Sequence, residues 1–244
     1  MKYGVLGDIH GNLTALNVAI EYLSREGVDL FLSMGDVVGY GAAPAACISR
    51  LREIEAVVIK GNHDAATADQ LDLVYFNQYA REAVHWTQSV LDKDAISWLA
   101  ALPYTVDLED CSAAHGTYHN PEKFDYIQST RDADPSLDVM KRPVCFVGHT
   151  HVPVTLMRLT DDPDRTAFTC DDVIDLSGAQ KALINVGSVG QPRDDDPRAA
   201  CAIFDTSTEI VAIKRLDYDI EKEAHRIRSA GLPAVLGDRL YMGV

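Results

Sequence analysis

Positive charge is in short supply in this chain. Across 244 residues, 22 lysines and arginines stand against 37 aspartates and glutamates, a formal net charge of −15. That balance argues against a broad nucleic-acid or anionic-membrane footprint. No apolar run approaches the roughly 18 to 20 residues needed to cross a bilayer. The residues from Met1 to Asp8 leave no room for a cleavable signal, so a cytoplasmic protein is expected. The five cysteines, Cys47, Cys111, Cys145, Cys170 and Cys201, form no C-x-x-C pair. Cys111, Cys145 and Cys201 lie in or beside strand-like apolar runs and read as small core residues rather than as disulfides or zinc ligands. There is no repeat or low-complexity tract, and the glycines from Gly35 to Gly41 do not make the dinucleotide G-x-G-x-x-G pattern.

A composition that is 47% hydrophobic supports a large core, and a single domain over residues 1–244 is expected. The first half reads as α/β. Lys2 to Gly7 is a buried strand, followed by Asn12 as helix N-cap, Leu13, Leu16, Ile20 and Leu23 at helical spacing, and Gly27 as stop. Leu30 to Met34 and Ala56 to Lys60 read as further strands around a helix at Pro44 to Ile54. Leu71 to Leu102 is mostly helical, with Trp86 and Trp98 as core anchors, and His85 and His225 sit on helical patterns with surface roles. Cys111 to Ala114 and Val144 to Val147 are strands. Val154 to Leu159, Ala182 to Val186, Ala200 to Asp205 and Ile210 to Leu216 suggest a mostly antiparallel sheet, and Ile220 to Ala230 a last helix. Asp161 to Asp164 and Asp194 to Pro197 read as polar turns.

Five short clusters fall where these strands end: Gly7-Asp8-Ile9-His10-Gly11-Asn12, Gly35-Asp36, Gly61-Asn62-His63-Asp64, His115-Gly116 and Gly148-His149-Thr150-His151. Ligand sites of open α/β sheets lie at that edge. Aspartate, asparagine and histidine form a mixed oxygen and nitrogen donor set suited to two divalent metals and phosphate-ester chemistry. Asp8 and His10, two apart, point to one side of an extended strand end, as do His149 and His151. Alone, Asp8 and His10 read equally well as a turn aspartate and a surface histidine. Asp36 could bridge two metals, or serve as a helix cap. Asn62 is a neutral oxygen donor and His63 a candidate acid in a Gly-Asn-His-Asp turn, a combination that a plain turn does not require. A lone His115 would pass as an ordinary core histidine, but it stands in a series of strand-end motifs. The metals would also solve the charge problem, because four positive charges against the carboxylates of Asp8 and Asp36 make the pocket attractive to phosphate.

In type, order and spacing, these motifs resemble the signature of the calcineurin-like metallophosphoesterase superfamily. The segment Ile184 to Asp194 and the tail Ala230-Gly231-Leu232-Pro233 further resemble a bacterial branch of small single-domain phosphodiesterases. The resemblance implies an α/β fold, a four-layer αββα sandwich of two mixed β-sheets with flanking helices. It implies Asp8, His10 and His151 on one metal, Asn62, His115 and His149 on a second, and Asp36 between them. His63 would be catalytic, with Asp64 orienting it, and a metal-bridging hydroxide would attack phosphorus.

The implied function is a metal-dependent phosphoric ester hydrolase. A phosphodiesterase for small phosphodiesters or nucleotides comes first, and a dinucleoside polyphosphate hydrolase or phosphomonoesterase is the alternative. A non-catalytic scaffold of this fold is a reading of another class, which the retention of His63 and every expected ligand disfavours. Histidine-rich ligation favours manganese, with iron, zinc, nickel or cobalt as alternatives, over magnesium. Beyond the metal ligands, Arg193 could make a forked contact to phosphate or sit in a surface salt bridge. Asn12 could touch phosphate or simply cap its helix, and Tyr40 and the residues from His119 to Tyr126 could line the pocket. The expected partner is a small phosphate ester or nucleotide, with no broad nucleic-acid binding and no membrane. Homo-oligomerisation is left open.

Overall fold

The computed structural model describes the backbone of residues 1–244 and every side chain except that of Tyr75. In chain order the elements of the first half are β1 (Lys2–Leu6), α1 (Leu13–Arg25), β2 (Leu30–Ser33), α2 (Pro44–Glu53), β3 (Val57–Val58), α3 (Asn62–Thr67), α4 (Gln78–Val90), α5 (Lys93–Ala101), β4 (Thr105–Asp107) and β5 (Cys111–Ala114). The second half adds α6 (Thr130–Val139), β6 (Val144–Val147), β7 (Val154–Leu159), β8 (Asp162–Thr169), β9 (Val173–Asp175), β10 (Ala179–Asn185), β11 (Ala199–Asp205), β12 (Ile210–Leu216), α7 (Ile220–Ser229) and α8 (Ala234–Asp238).

Two six-stranded mixed sheets result, ordered β3-β2-β1-β11-β12-β9 and β4-β5-β6-β10-β7-β8. Period-two alternation explains why they pack face to face. On β1, Tyr3 and Val5 enter the core between the sheets, whereas Leu6 joins the core beneath α1 and α2. On β6, Val144 and Phe146 face the other sheet while Cys145 and Val147 pack against α6. Helices therefore cover both outer faces. Helix α1 starts where the Asn12 side chain accepts from the Ala15 N–H and buries Leu16, Ile20 and Leu23, a stripe worth roughly 1.5–3 kcal/mol per side chain. No helix among the described residues is long and apolar enough to cross a membrane.

Three expectations change. The second half does not form one antiparallel sheet: β11 and β12 extend the first sheet, and β10 runs parallel to β6 in the second. The Asp161 to Asp164 segment is not only a turn, since Asp162–Thr169 is strand β8. Its Pro163 is tolerated because β8 is an edge strand. The Gly-Asn-His-Asp turn is the first turn of a short helix, α3. Helix α6, in a stretch to which the sequence assigned no element, forms despite an internal proline, Pro135.

Candidate metal centre

The strands β1, β2 and β3 run parallel, as do β5, β6 and β10. Their ends converge. Asp8 and His10 follow β1, Asp36 follows β2, Asn62 and His63 follow β3, His115 follows β5, His149 and His151 follow β6, and Arg193 lies beyond β10.

The donors are not on extended backbone, as the alternation argument required. Asp8, His10, Asp36, His149 and His151 have φ of 44°, 50°, 47°, 70° and 63°. Left-handed backbone at non-glycine residues costs on the order of 1–3 kcal/mol and persists only where the surroundings over-determine it. Here they do. The His10 N–H donates to the Asp36 carbonyl at 2.8 Å, the Ser188 hydroxyl to the Asp8 carbonyl at 2.7 Å, and the His149 N–H to the Asp8 carboxylate at 3.0 Å. Tight left-handed turns, not strand periodicity, aim the donors inward.

Two donor clusters form. One atom each from Asp8, His10, Asp36 and His151 lie within 4.8 Å of one another, as do atoms from Asp36, His115 and His149, and all six residues are buried. Asp36 is common to both, its Oδ2 lying 3.5 Å from His10 Nε2 and 3.4 Å from His115 Nε2. Asn62 Oδ1 lies 3.1 Å from His115 Nε2.

The donor chemistry fits cations. His10 Nδ1 lies 3.1 Å from the Val38 carbonyl and His151 Nδ1 2.6 Å from the Gln191 carbonyl. A carbonyl only accepts, so both Nδ1 atoms carry the proton and both Nε2 atoms carry a lone pair in the neutral ring. Those Nε2 atoms are 3.1 Å apart. Facing lone pairs at that distance repel unless a cation lies between them. Burial drives His10, His149 and His151 well below the ordinary histidine pKa, which keeps their lone pairs available. Burial opposes charge on His115 too, but the facing carboxylates of Asp36 and Asp8 prevail and lift it to about 9. Asp36, although buried, is held well below the usual carboxylate range by His115 and His63. Asp8 is pushed up to about 7 by burial. The buried carboxylates call for positive charge, and without a metal it falls to the His115 imidazolium and the nearby Arg193 guanidinium.

His63 lines the small cavity over these donors, about 70 Å³, together with Asn62, His149 and Arg193. Burial lowers it to about 4, and its Nδ1 has no partner among the described residues. Gly39, at φ +90°, makes room for the ring: a Cβ there would meet His63 Nδ1 at 2.3 Å. The contact expected from Asp64 is absent. Its carboxylate instead accepts from the backbone N–H groups of Val37 at 2.9 Å, Val38 at 3.2 Å and Gly61 at 3.0 Å. Asp64 fixes the loops that carry Asp36 and His63, not the imidazole itself. Burial raises its pKa to about 7 against those donors.

Asn12 takes the capping role. Both ends of its side chain are engaged, donating to the Gly190 carbonyl at 2.9 Å and accepting from Ala15 N–H at 3.0 Å. It caps α1 and secures the loop after β10. Arg193 makes no salt bridge among the described residues, because neighbouring Asp194 pairs with Arg215. Its guanidinium lies 3.2 Å from Gln191 Oε1, 3.4 Å from the Tyr40 hydroxyl and 5.8 Å over the Tyr40 ring. Its Nε is buried without a partner. His85 and His225 are exposed on α4 and α7.

Sequence reasoning missed Phe76 and Asn77, which line the same cavity. It also missed how Tyr126 is held, its ring stacked on His149 at 4.0 Å and 18°. Only the position of Tyr126 after a site strand hinted at it. Tyr126 borders three cavities, the central one and two flanking ones of about 850 and 570 Å³.

A family model described as the calcineurin-like phosphoesterase superfamily domain matches residues 1–209. The crystal structure of a metallophosphoesterase from Sphaerobacter thermophilus is similar over 100% of this chain and 99% of that one, with 37% identity and a TM-score of 0.85. The uncharacterized protein MJ0912 of Methanocaldococcus jannaschii is 34% identical over 245 residues, covering 98% of this chain and 97% of its own. Phosphodiesterase YfcE of Escherichia coli is 27% identical over 168 residues, 65% of this chain and 73% of its own.

Proposed function

The chain belongs to the calcineurin-like phosphoesterase superfamily and is a phosphoric ester hydrolase, and on that premise we propose that it is a phosphodiesterase for small phosphodiesters or nucleotides, working with two divalent ions. The observation that carries this reading is Asp36, which belongs to both donor clusters. Asp8, His10 and His151 would hold one ion, Asn62, His115 and His149 the other, with Asp36 between. Bound there, divalent ions lower the pKa of water and stabilise the oxygens entering and leaving phosphorus. Manganese is the proposed activating ion, because it suits the oxygens of Asp8, Asp36 and Asn62 that stand among the imidazoles.

The chain's own residues supply the rest. The flanking cavities of about 850 and 570 Å³ support a diester, whose two substituents both need space. Water forms the new P–O bond as the ester P–O bond breaks, and a proton passes to the departing oxygen. His63, neutral at neutral pH because burial lowers it to about 4, presents an N–H to that oxygen, and a phosphate anion beside it raises its proton affinity. Arg193, free of acidic partners among the described residues, binds a phosphoryl oxygen.

The same unpaired Arg193 favours a second reading, hydrolysis of dinucleoside polyphosphates, in which it would hold a further phosphate. A panel of bis-p-nitrophenyl phosphate, p-nitrophenyl phosphate, a cyclic nucleotide and diadenosine tetraphosphate, assayed with manganese, separates these readings. The diester reading expects bis-p-nitrophenyl phosphate to exceed the monoester. Preference for diadenosine tetraphosphate, abolished by Arg193→Ala, would favour the second. Failure to hydrolyse any of them with any divalent ion would refute both.

A further inference from the structure

We propose that the cavity of about 850 Å³ beside the metal centre seats a neutral aromatic ester substituent of the substrate, an aryl or nucleobase ring. The proposal rests on the phosphodiesterase reading and narrows its substrate class.

The cavity adjoins the centre. Tyr126 and Arg193 border both, so an ester substituent on a phosphoryl group bound beside Arg193 has this space next to it. Its size falls in the range of small-molecule sites, about 300–1,000 Å³. Among the described residues, Arg193 is the one charged side chain lining it. Negative charge is therefore matched at the phosphate end and nowhere deeper. Its apolar lining includes Ile127, Val152, Pro153 and Leu156.

Two aromatic rings line the cavity. Phe168, on edge strand β8, is 67% exposed, and Tyr126 is 48% exposed. Scattered exposed apolar residues are ordinary, but two aromatic rings on one cavity next to a reactive centre are a recognition feature. Tyr126 is pinned by its stack on His149 at 4.0 Å, so its orientation is fixed before a ligand arrives. An entering ring then loses little freedom on stacking. The polar groups of Gln128, Ser129, Thr130 and Thr150, which also line the cavity, leave donors and acceptors for ring heteroatoms or a sugar.

The test compares p-nitrophenyl phenyl phosphate with p-nitrophenyl methyl phosphate, which share one leaving group, on the manganese-loaded full chain. After division by the uncatalysed rates, kcat/KM should favour the phenyl ester about tenfold, or 1.4 kcal/mol. Phe168→Ala should bring that ratio towards one. A ratio near one in the wild type overturns the proposal. A second readout needs no turnover. Cys170 lines this cavity and is exposed, whereas Cys47, Cys111, Cys145 and Cys201 are buried. Its alkylation by iodoacetamide, followed by mass spectrometry, should slow at least threefold in diphenyl phosphate but not in dimethyl phosphate. Equal rates in both would overturn the proposal. If neither ester is hydrolysed, the phosphodiesterase reading fails while the alkylation still decides the cavity.

Discussion

His10 Nε2 lies 3.1 Å from His151 Nε2 although each ring already donates its Nδ1 proton to a carbonyl, of Val38 and Gln191 respectively. Two neutral rings so arranged cannot hydrogen-bond to each other. The arrangement is stable when a cation accepts both lone pairs, and it ties folding to metal.

Metal removal should therefore destabilise the fold. An ion at 100 times its Kd adds about 2.7 kcal/mol, which for a chain of this size is about 5–10 °C in Tm. Scanning fluorimetry with chelator and then with manganese checks this. His10→Ala should cut the difference between loaded and stripped protein to less than half.

Gly39 should be irreplaceable for turnover but not for metal. A Cβ at that position would sit 2.3 Å from His63 Nδ1, on a backbone at φ +90°. Gly39→Ala is expected to lower kcat at least tenfold while metal content by atomic emission is retained. Unchanged kcat would mean that the position of the His63 ring is not critical.

Asp64→Asn separates a scaffold from an orienting group. The carboxylate accepts three backbone N–H groups, and an amide must turn its NH₂ towards at least one of them. Leaving a buried N–H unmatched costs about 1–3 kcal/mol. Urea unfolding should show that loss. If stability were intact while kcat alone fell, Asp64 would be acting through the imidazole.

Asp107 should give stability a pH signature. Burial acts to raise its pKa, but hydrogen bonds from Lys141, Tyr118 and Ser112 prevail and hold it below the usual carboxylate range. A carboxyl depressed in the folded state contributes stability that is present above its unfolded pKa, about 3.9, and is lost as pH falls through the lower folded value. Asp107→Asn should therefore destabilise the protein at pH 7, and the difference from wild type should shrink as pH falls below about 4. A pH-independent difference in urea midpoint would contradict this.

Much of the site was legible because each donor stands directly beyond an apolar run. β12 was bounded correctly at Ile210–Leu216 by its own pattern. What escaped depends on distant partners. Asp64 reaches Val37, 27 residues away, so its sequence neighbour His63 looked like its target. Asp8 and His10 gather on one side, yet through left-handed φ imposed by hydrogen bonds from other loops. Helix α3 was hidden because it has only six residues, too few to show a period. The sheet membership of β11 and β12 follows from the pairing of β11 with β1 across nearly the whole chain, with β12 then added to β11, which no local pattern encodes. Phe168 falls in a stretch to which the sequence assigned no element, and its place beside the cavity follows from the pairing of β8 with β7.

The central claim is a two-ion centre that hydrolyses phosphodiesters. It is tested most directly by the initial rate of bis-p-nitrophenyl phosphate hydrolysis as manganese is titrated into metal-free protein at concentrations far above Kd. The rate should rise to a plateau at two ions per chain and be lost in Asp36→Asn, since Asp36 belongs to both donor clusters. A plateau at one ion, or full turnover in Asp36→Asn, would contradict the account.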